Sequence, residues 1–129
     1  MMRTLPAPQP SVETQPFWDA AAAGKLMIKR CGACGEPHYY PRALCPHCLG
    51  ADTRWEECAG TGTIYSLSTM RRGAEAPYTL AYVTLDEGPA VLTNLLGDPD
   101  GFAIGGRVRV AFTPTEGGPP VPTFVADAG

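Results

Sequence analysis

No apolar run in this sequence approaches the ~20 residues needed to cross a bilayer, and the opening Met1-Met2-Arg3-Thr4-Leu5-Pro6 has no apolar signal-peptide core. The expectation is a soluble, cytoplasmic protein with no membrane partner. A surplus of cations is missing as well: ten Lys and Arg stand against thirteen Asp and Glu, a net charge of -3. Proteins that grip a phosphate backbone normally carry the opposite balance, so nucleic acid is disfavoured. Long helical periodicity is scarce, and fifteen glycines with fourteen prolines in 129 residues favour short strands and turns over a helical bundle. That length suits one domain or two small ones and excludes a long multidomain enzyme. No Ser/His/Asp constellation can be assembled, which leaves no predicted catalytic residue.

What is present divides the chain into three. Pro6, Pro8, Pro10 and Pro16 punctuate an extended lead-in over residues 1–15. Pro16 can then take a first helical position, with Asp19 in the first turn, Ala20 to Ala23 behind it and Gly24 as the stop, which predicts a helix of about two turns. Residues 25–30 alternate as a strand, with Leu26 and Ile28 on one face and Met27 and Lys29 on the other. This helix, the strand and the cysteine-rich stretch make a unit over 16–56. Over 57–129, five strands are predicted at 63–70, 80–85, 90–96, 107–112 and 121–126, separated by turn signals such as Asp86-Glu87-Gly88-Pro89 and Gly105-Gly106. Short strands of similar length without a long intervening helix fit an antiparallel OB-fold barrel, with a sandwich as the competing reading.

Cysteine carries the strongest chemical signal. Cys31-Gly32-Ala33-Cys34 and Cys45-Pro46-His47-Cys48 are two Cys-x-x-Cys knuckles ten residues apart. Each knuckle can aim two sulfurs at one ion, and two facing knuckles complete a tetrahedron. One structural zinc held by Cys31, Cys34, Cys45 and Cys48 is the simplest result, with iron in a rubredoxin-like site as its rival. A closed four-thiolate site leaves no open coordination position, so such a metal builds the fold and does not catalyse. Gly35 and Gly50 are read as the permissive backbone that lets each knuckle turn.

Other conspicuous residues receive plainer readings. His38 and His47 are expected at the surface or behind the metal ligands, and Cys58 is expected to be a small buried hydrophobe. Gly60-Thr61-Gly62-Thr63 lacks the third glycine and following helix of a phosphate loop and reads as a strand entry or bulge. The doubled basic sites Arg71-Arg72 and Lys29-Arg30 are candidates for holding the phosphates of coenzyme A, since guanidinium binds phosphate in bidentate geometry. Phe17, Trp18, Tyr39 and Tyr40 are the residue types enriched at interface centres and are candidates for contacting a partner protein.

The order of these pieces is specific. Pro16-Phe17-Trp18 and Gly24-Lys25-Leu26 lead into Cys31-x-x-Cys34-Gly35, then Pro41-Arg42 and Cys45-Pro46-His47-Cys48. Gly60-x-Gly62-Thr63-Ile64-Tyr65-Ser66, Pro77-Tyr78, residues 81–88 and Ile104-Gly105-x-x-Val108-x-Val110-x-Phe112 follow. Together they resemble the acyl-CoA-associated family, formerly a domain of unknown function, built from a rubredoxin-like zinc ribbon and an OB-fold. The resemblance covers roughly residues 16–126 and implies a mainly β chain: short N-terminal helix, zinc ribbon, then a five-stranded OB barrel. It also implies a noncatalytic accessory subunit that supports a thiolase-fold partner and helps hold or pass a CoA thioester. Such partners include acyltransferases, hydroxymethylglutaryl-CoA synthases and lipid-transfer-protein-like steroid side-chain aldolases, and in some cases a hot-dog-fold enoyl-CoA hydratase. A hetero-oligomer of two plus two is the expected assembly. A single-stranded nucleic-acid-binding module is the rival function for this pair of folds, and the acidic balance weighs against it.

Overall fold

In a computed structural model, residues 8–70 and 77–127 are described. The helix α1 runs Gln15–Ala22, one residue earlier than predicted at each end, with proline in its first turn and Gly24 at φ +81° beyond its C-cap Ala23. Its N-terminal turn is tied by Ser11 and Thr14: the Ser11 amide donates to Thr14 Oγ1 at 2.9 Å. Eight residues are too few to be helical unaided. What fixes α1 is burial of Phe17, Trp18 and Ala21.

Three strands form the ribbon sheet in the order β2-β1-β3, with β1 at Met27–Cys31, β2 at Pro37–His38 and β3 at Thr53–Glu57. The central β1 pairs antiparallel with both neighbours, Lys29 lying opposite His38 on one side and Trp55 on the other. Neither β2 nor β3 is foreseen from the sequence. Threonine, arginine, tryptophan and two glutamates in β3 show no apolar alternation, and pairing alone makes them a strand.

The remaining strands are β4 (Thr61–Met70), β5 (Tyr78–Leu85), β6 (Ala90–Leu95), β7 (Arg107–Thr113) and β8 (Val121–Ala126), close to the five expected. They close as β4-β5-β6-β8-β7 and back to β4. All neighbours are antiparallel except β6 and β8, which run parallel with Leu95 opposite Phe124. Closure decides against the sandwich, because one sheet wraps round on itself in place of two sheets packed face to face. A 3₁₀ turn at Pro99–Gly101, capped by the Asp98 carboxylate on the Asp100 amide, lies between β6 and β7.

Gly60, at φ +85°, is the strand entry expected there, and a side chain on Gly62 would come within 2.6 Å of the Thr84 carbonyl oxygen. The irregularity in β4 lies further on, between Ile64 and Ser66. Arg107 on β7 forks onto Asp86 at 2.7 and 2.8 Å, while Thr61 also donates to that carboxylate. These bonds hold the Asp86 carboxyl well below its usual range.

One core runs through both units. Ile64, Ala81, Val83, Leu85, Val91, Leu95, Val108 and Phe124 line the barrel, and Phe17, Ala21, Leu26 and Ile28 extend the same buried cluster into the helix and ribbon. Lys29, expected on an outer face, is buried beside Trp55. No helix among the described residues is long and apolar enough to cross a membrane.

Candidate metal centre

The first knuckle is the turn between β1 and β2; the second lies in the longer connection from β2 to β3. Both use the same local design. The Gly35 amide donates to the Cys31 carbonyl at 3.0 Å, and the Leu49 amide donates to the Cys45 carbonyl at 2.8 Å. Residue Gly35 has φ +78° and Leu49 has φ +66°. Amides inside each turn point at sulfur: those of Ala33 and Cys34 reach Cys31 Sγ at 3.3 and 3.4 Å, and that of His47 reaches Cys45 Sγ at 3.4 Å. Hydrogen bonds from Cys34 and Ala33 stabilise the thiolate and pull Cys31 down to about 6.

The four ligand sulfurs lie within 4.8 Å of one another. Cys31 and Cys48 approach to 3.6 Å and Cys34 and Cys45 to 3.7 Å. Sulfurs at about 2.3 Å from a tetrahedral ion are separated by about 3.8 Å, so the cluster fits one such ion. Cys31 and Cys45 are buried, whereas Cys34 and Cys48 are exposed. The centre therefore sits at the rim of the ribbon, backed by chain on one side only.

In the second knuckle the left-handed position is held by Leu49, and Gly50, the residue expected to permit the turn, has another task. A side chain on Gly50 would meet Cys48 Sγ at 3.3 Å and Cys31 Sγ at 3.6 Å, so glycine there keeps space beside the sulfurs. Holding a branched residue at positive φ costs on the order of 1–2 kcal/mol, and glycine returns part of that through its freer unfolded chain. Leu49 is exposed and loses little packing on truncation. Leu49→Gly is expected to stabilise the protein by roughly 0.5 kcal/mol, read as a small rise in melting temperature with metal content unchanged.

Neither histidine belongs to the group of clustered ligand atoms. His38 is buried, accepts from the Arg42 amide through Nε2 at 3.2 Å, and has its pKa lowered by burial. His47 is exposed and contributes its backbone amide to Cys45. Cys58 is buried against the barrel core, and desolvation with the Glu87 carboxylate nearby pushes its thiol up to about 12.

The remaining candidates divide. Arg71 and Arg72 lie outside the described residues. Lys29 and Arg30, adjacent on β1, are both engaged within the chain. Lys29 Nζ lies 4.7 Å over the Trp55 ring and donates to Thr53. Arg30 forks onto Glu56 at 2.8 and 3.2 Å and donates to the Gly35 carbonyl at 2.9 Å, bracing the first knuckle.

Phe17, Trp18, Tyr39 and Tyr40 are brought together, but as an internal cluster. Phe17 packs edge-on against Trp18, Tyr39 and Tyr40 with ring centroids 4.7, 5.7 and 5.6 Å apart. Trp18 Nε1 donates to the Tyr40 hydroxyl at 3.2 Å. Phe17 and Trp18 are only 1% and 6% exposed, so the expected docking anchors on α1 are core residues, and only Tyr40 shows substantial surface. Two adjacent aromatics signal a buried face as readily as a mating one, because both need the same apolar mass.

Comparison with known proteins agrees with this architecture. A family described as "ChsH2, rubredoxin-like zinc ribbon domain" matches residues 18–54, and one described as "ChsH2, C-terminal OB-fold domain" matches 55–113. A "DUF35 domain-containing scaffold protein" of Methanothermobacter thermautotrophicus is 32% identical over 94 residues, covering 67% of this chain and 71% of that protein. A "probable enoyl-CoA hydratase alpha subunit" of Thermomonospora curvata is 39% identical over 105 residues, 76% of this chain, but the chain spans only 33% of its length. Among solved structures, a chain of the "Ltp2-ChsH2(DUF35) aldolase" superposes with a TM-score of 0.78 at 33% identity, covering 92% of this chain and 98% of that one. By ribbon, barrel and sequence alike, the chain belongs to the ChsH2/DUF35 family of zinc-ribbon and OB-fold proteins.

Proposed function

We propose that the chain is a noncatalytic accessory subunit of a thiolase-type acyl-CoA complex, supporting a partner that makes or breaks a carbon-carbon bond beside a thioester. The observation that carries this reading is the likeness, over nearly the whole of both chains, to a chain of the "Ltp2-ChsH2(DUF35) aldolase". The site chemistry is consistent with it. Four sulfurs around one ion fill every coordination position, so Cys31, Cys34, Cys45 and Cys48 would hold one structural zinc that supplies shape and no reactive ligand. The thioester would be bound by the assembled complex, which we infer to be a cytoplasmic two-plus-two hetero-oligomer.

A second reading has a specific observation behind it: the hydratase-named relative at 39% identity favours a hydratase assembly in which the same module serves a different catalytic chain. Co-expression separates the two. The tagged chain should retain a thiolase-fold protein of its source genome through gel filtration, and the pair should act on an acyl-CoA that the isolated chain leaves untouched. Retention of a hydratase alone selects the second reading; turnover of a thioester by the isolated chain overturns both. Metal analysis should return one zinc per chain in a colourless preparation, while a coloured iron protein would contradict the zinc assignment.

A further inference from the structure

The ten, eight and six residues of β4, β5 and β6 contain no Asp, Glu, Lys, Arg or His. These are three consecutive neighbours in the barrel, so their outer surface is one continuous face without a formal charge. The chain is not short of charge elsewhere: the neighbouring strand β7 exposes Arg107 and Arg109. Large apolar side chains cluster on that face. Tyr82 lies opposite Ser66 on β4 and opposite Leu92 on β6, and Tyr65 occupies the irregularity beside Ser66. Tyr65, Tyr82 and Leu92 are 71%, 49% and 58% exposed. Single exposed hydrophobes are ordinary; a row across three strands with no charge among them is not.

Three features narrow what covers it. The central strand β5 is paired along both edges, so across the middle of this face a partner lies face-on and does not add a strand. A nucleic-acid strand would find tyrosines but, within β4, β5 and β6 themselves, no cation for its phosphates. A protein surface carrying a charge here would lose hydration and gain no counter-charge, so the matching surface is itself uncharged and apolar. Area then separates a second copy from a larger partner. Three strands about 4.8 Å apart and about 25 Å long present only a few hundred Å², against about 800 Å² per partner in a stable interface. The face suits the apolar centre of a wider contact better than a complete self-association surface.

We propose that the outer face of β4–β6 seats the catalytic subunit of the acyl-CoA complex on an uncharged apolar patch of that subunit, with Tyr65, Tyr82 and Leu92 as anchors. This rests on the accessory-subunit reading above. The test co-expresses the tagged full chain with each thiolase-fold protein of the source genome and measures affinity for any that is retained. Tyr82→Lys and Leu92→Lys are each expected to weaken binding at least a hundredfold, with the melting temperature unchanged. Leu44→Asp, in the groove beside the second knuckle formed with Glu13, Arg42 and Pro46, should bind as wild type. Tyr82→Ser, which adds no charge, repeats the measurement if a lysine variant melts early.

Retention of the partner by wild type and by both lysine variants overturns the face and leaves the accessory reading standing. Failure of wild type to retain any thiolase-fold protein removes that reading and this assignment with it. Self-association of wild type that the lysine substitutions dissolve, without loss of catalytic-partner binding, assigns the face to a second copy and overturns the proposal.

Discussion

Cys34→Ser, or removal of the metal by a strong chelator, is expected to unfold the knuckles while leaving the barrel standing. Cys34 is exposed, so its replacement by serine opens no cavity and isolates the ligand's role, whereas changes at the buried Cys31 or Cys45 would mix metal loss with lost packing. The knuckles have little else to hold them: over 31–35 and 45–50 only Cys31 and Cys45 are buried, whereas Tyr39 and Tyr40 between them pack on Phe17. Binding of structural zinc in small peptides is worth on the order of 10 kcal/mol, more than such a segment can replace by burial.

The strand β1 is in a different position, because Leu26 and Ile28 belong to the core shared with the barrel. Unfolding should therefore begin at the knuckles, and hydrogen exchange reads it directly. Amides of Gly35, Cys45 and Leu49 should lose protection, those of β5 and β6 should keep theirs, and the strand signal in circular dichroism should fall only in part. Metal-free protein with Gly35 and Leu49 still protected would contradict a structural role for the ion.

How much of this was legible in the sequence depends on whether the signal was local. The barrel strands show alternation within one segment, as at Val108 and Val110 against Arg107 and Arg109, and the knuckles show it in the fixed spacing of their cysteines. Features set by a distant partner were not legible. Strand β3 exists because β1 lies beside it, and Lys29 is buried because Trp55 stands opposite. Leu49 occupies a left-handed turn that the sequence assigned to Gly50, since local propensity favours glycine and the geometry of the knuckle decides otherwise. The ion pair of Arg30 is set in the same way: Glu56, twenty-six residues on, takes the guanidinium. A sheet face without charge was readable in residues 61–70, 78–85 and 90–95, but recognising it as one face required the order of strands.

The aromatic cluster gives the second large effect. Phe17→Ala should destabilise the protein by about 3–5 kcal/mol, since the side chain is fully buried and its removal leaves a cavity. Three edge-on ring contacts go with it, each worth about 0.5–1.5 kcal/mol beyond area alone. Against a typical total of about 5–15 kcal/mol this is a major fraction, and a fall in melting temperature of roughly 10 °C or more follows. Helix α1 should loosen without the contact, because only the burial of Trp18 and Ala21 is then left to fix its eight residues.

Trp18, released from Phe17 and from the Tyr40 hydroxyl, should then report solvent through a red-shifted emission. Tyr40→Phe is the graded comparison: it removes one half-exposed hydrogen bond and should cost only about 1 kcal/mol. An anchor for another protein would behave in the opposite way, with Phe17→Ala leaving the isolated chain as stable as before and weakening only the complex. Thermal melts of the isolated chain decide between these, and an unchanged melting temperature would return Phe17 to the surface.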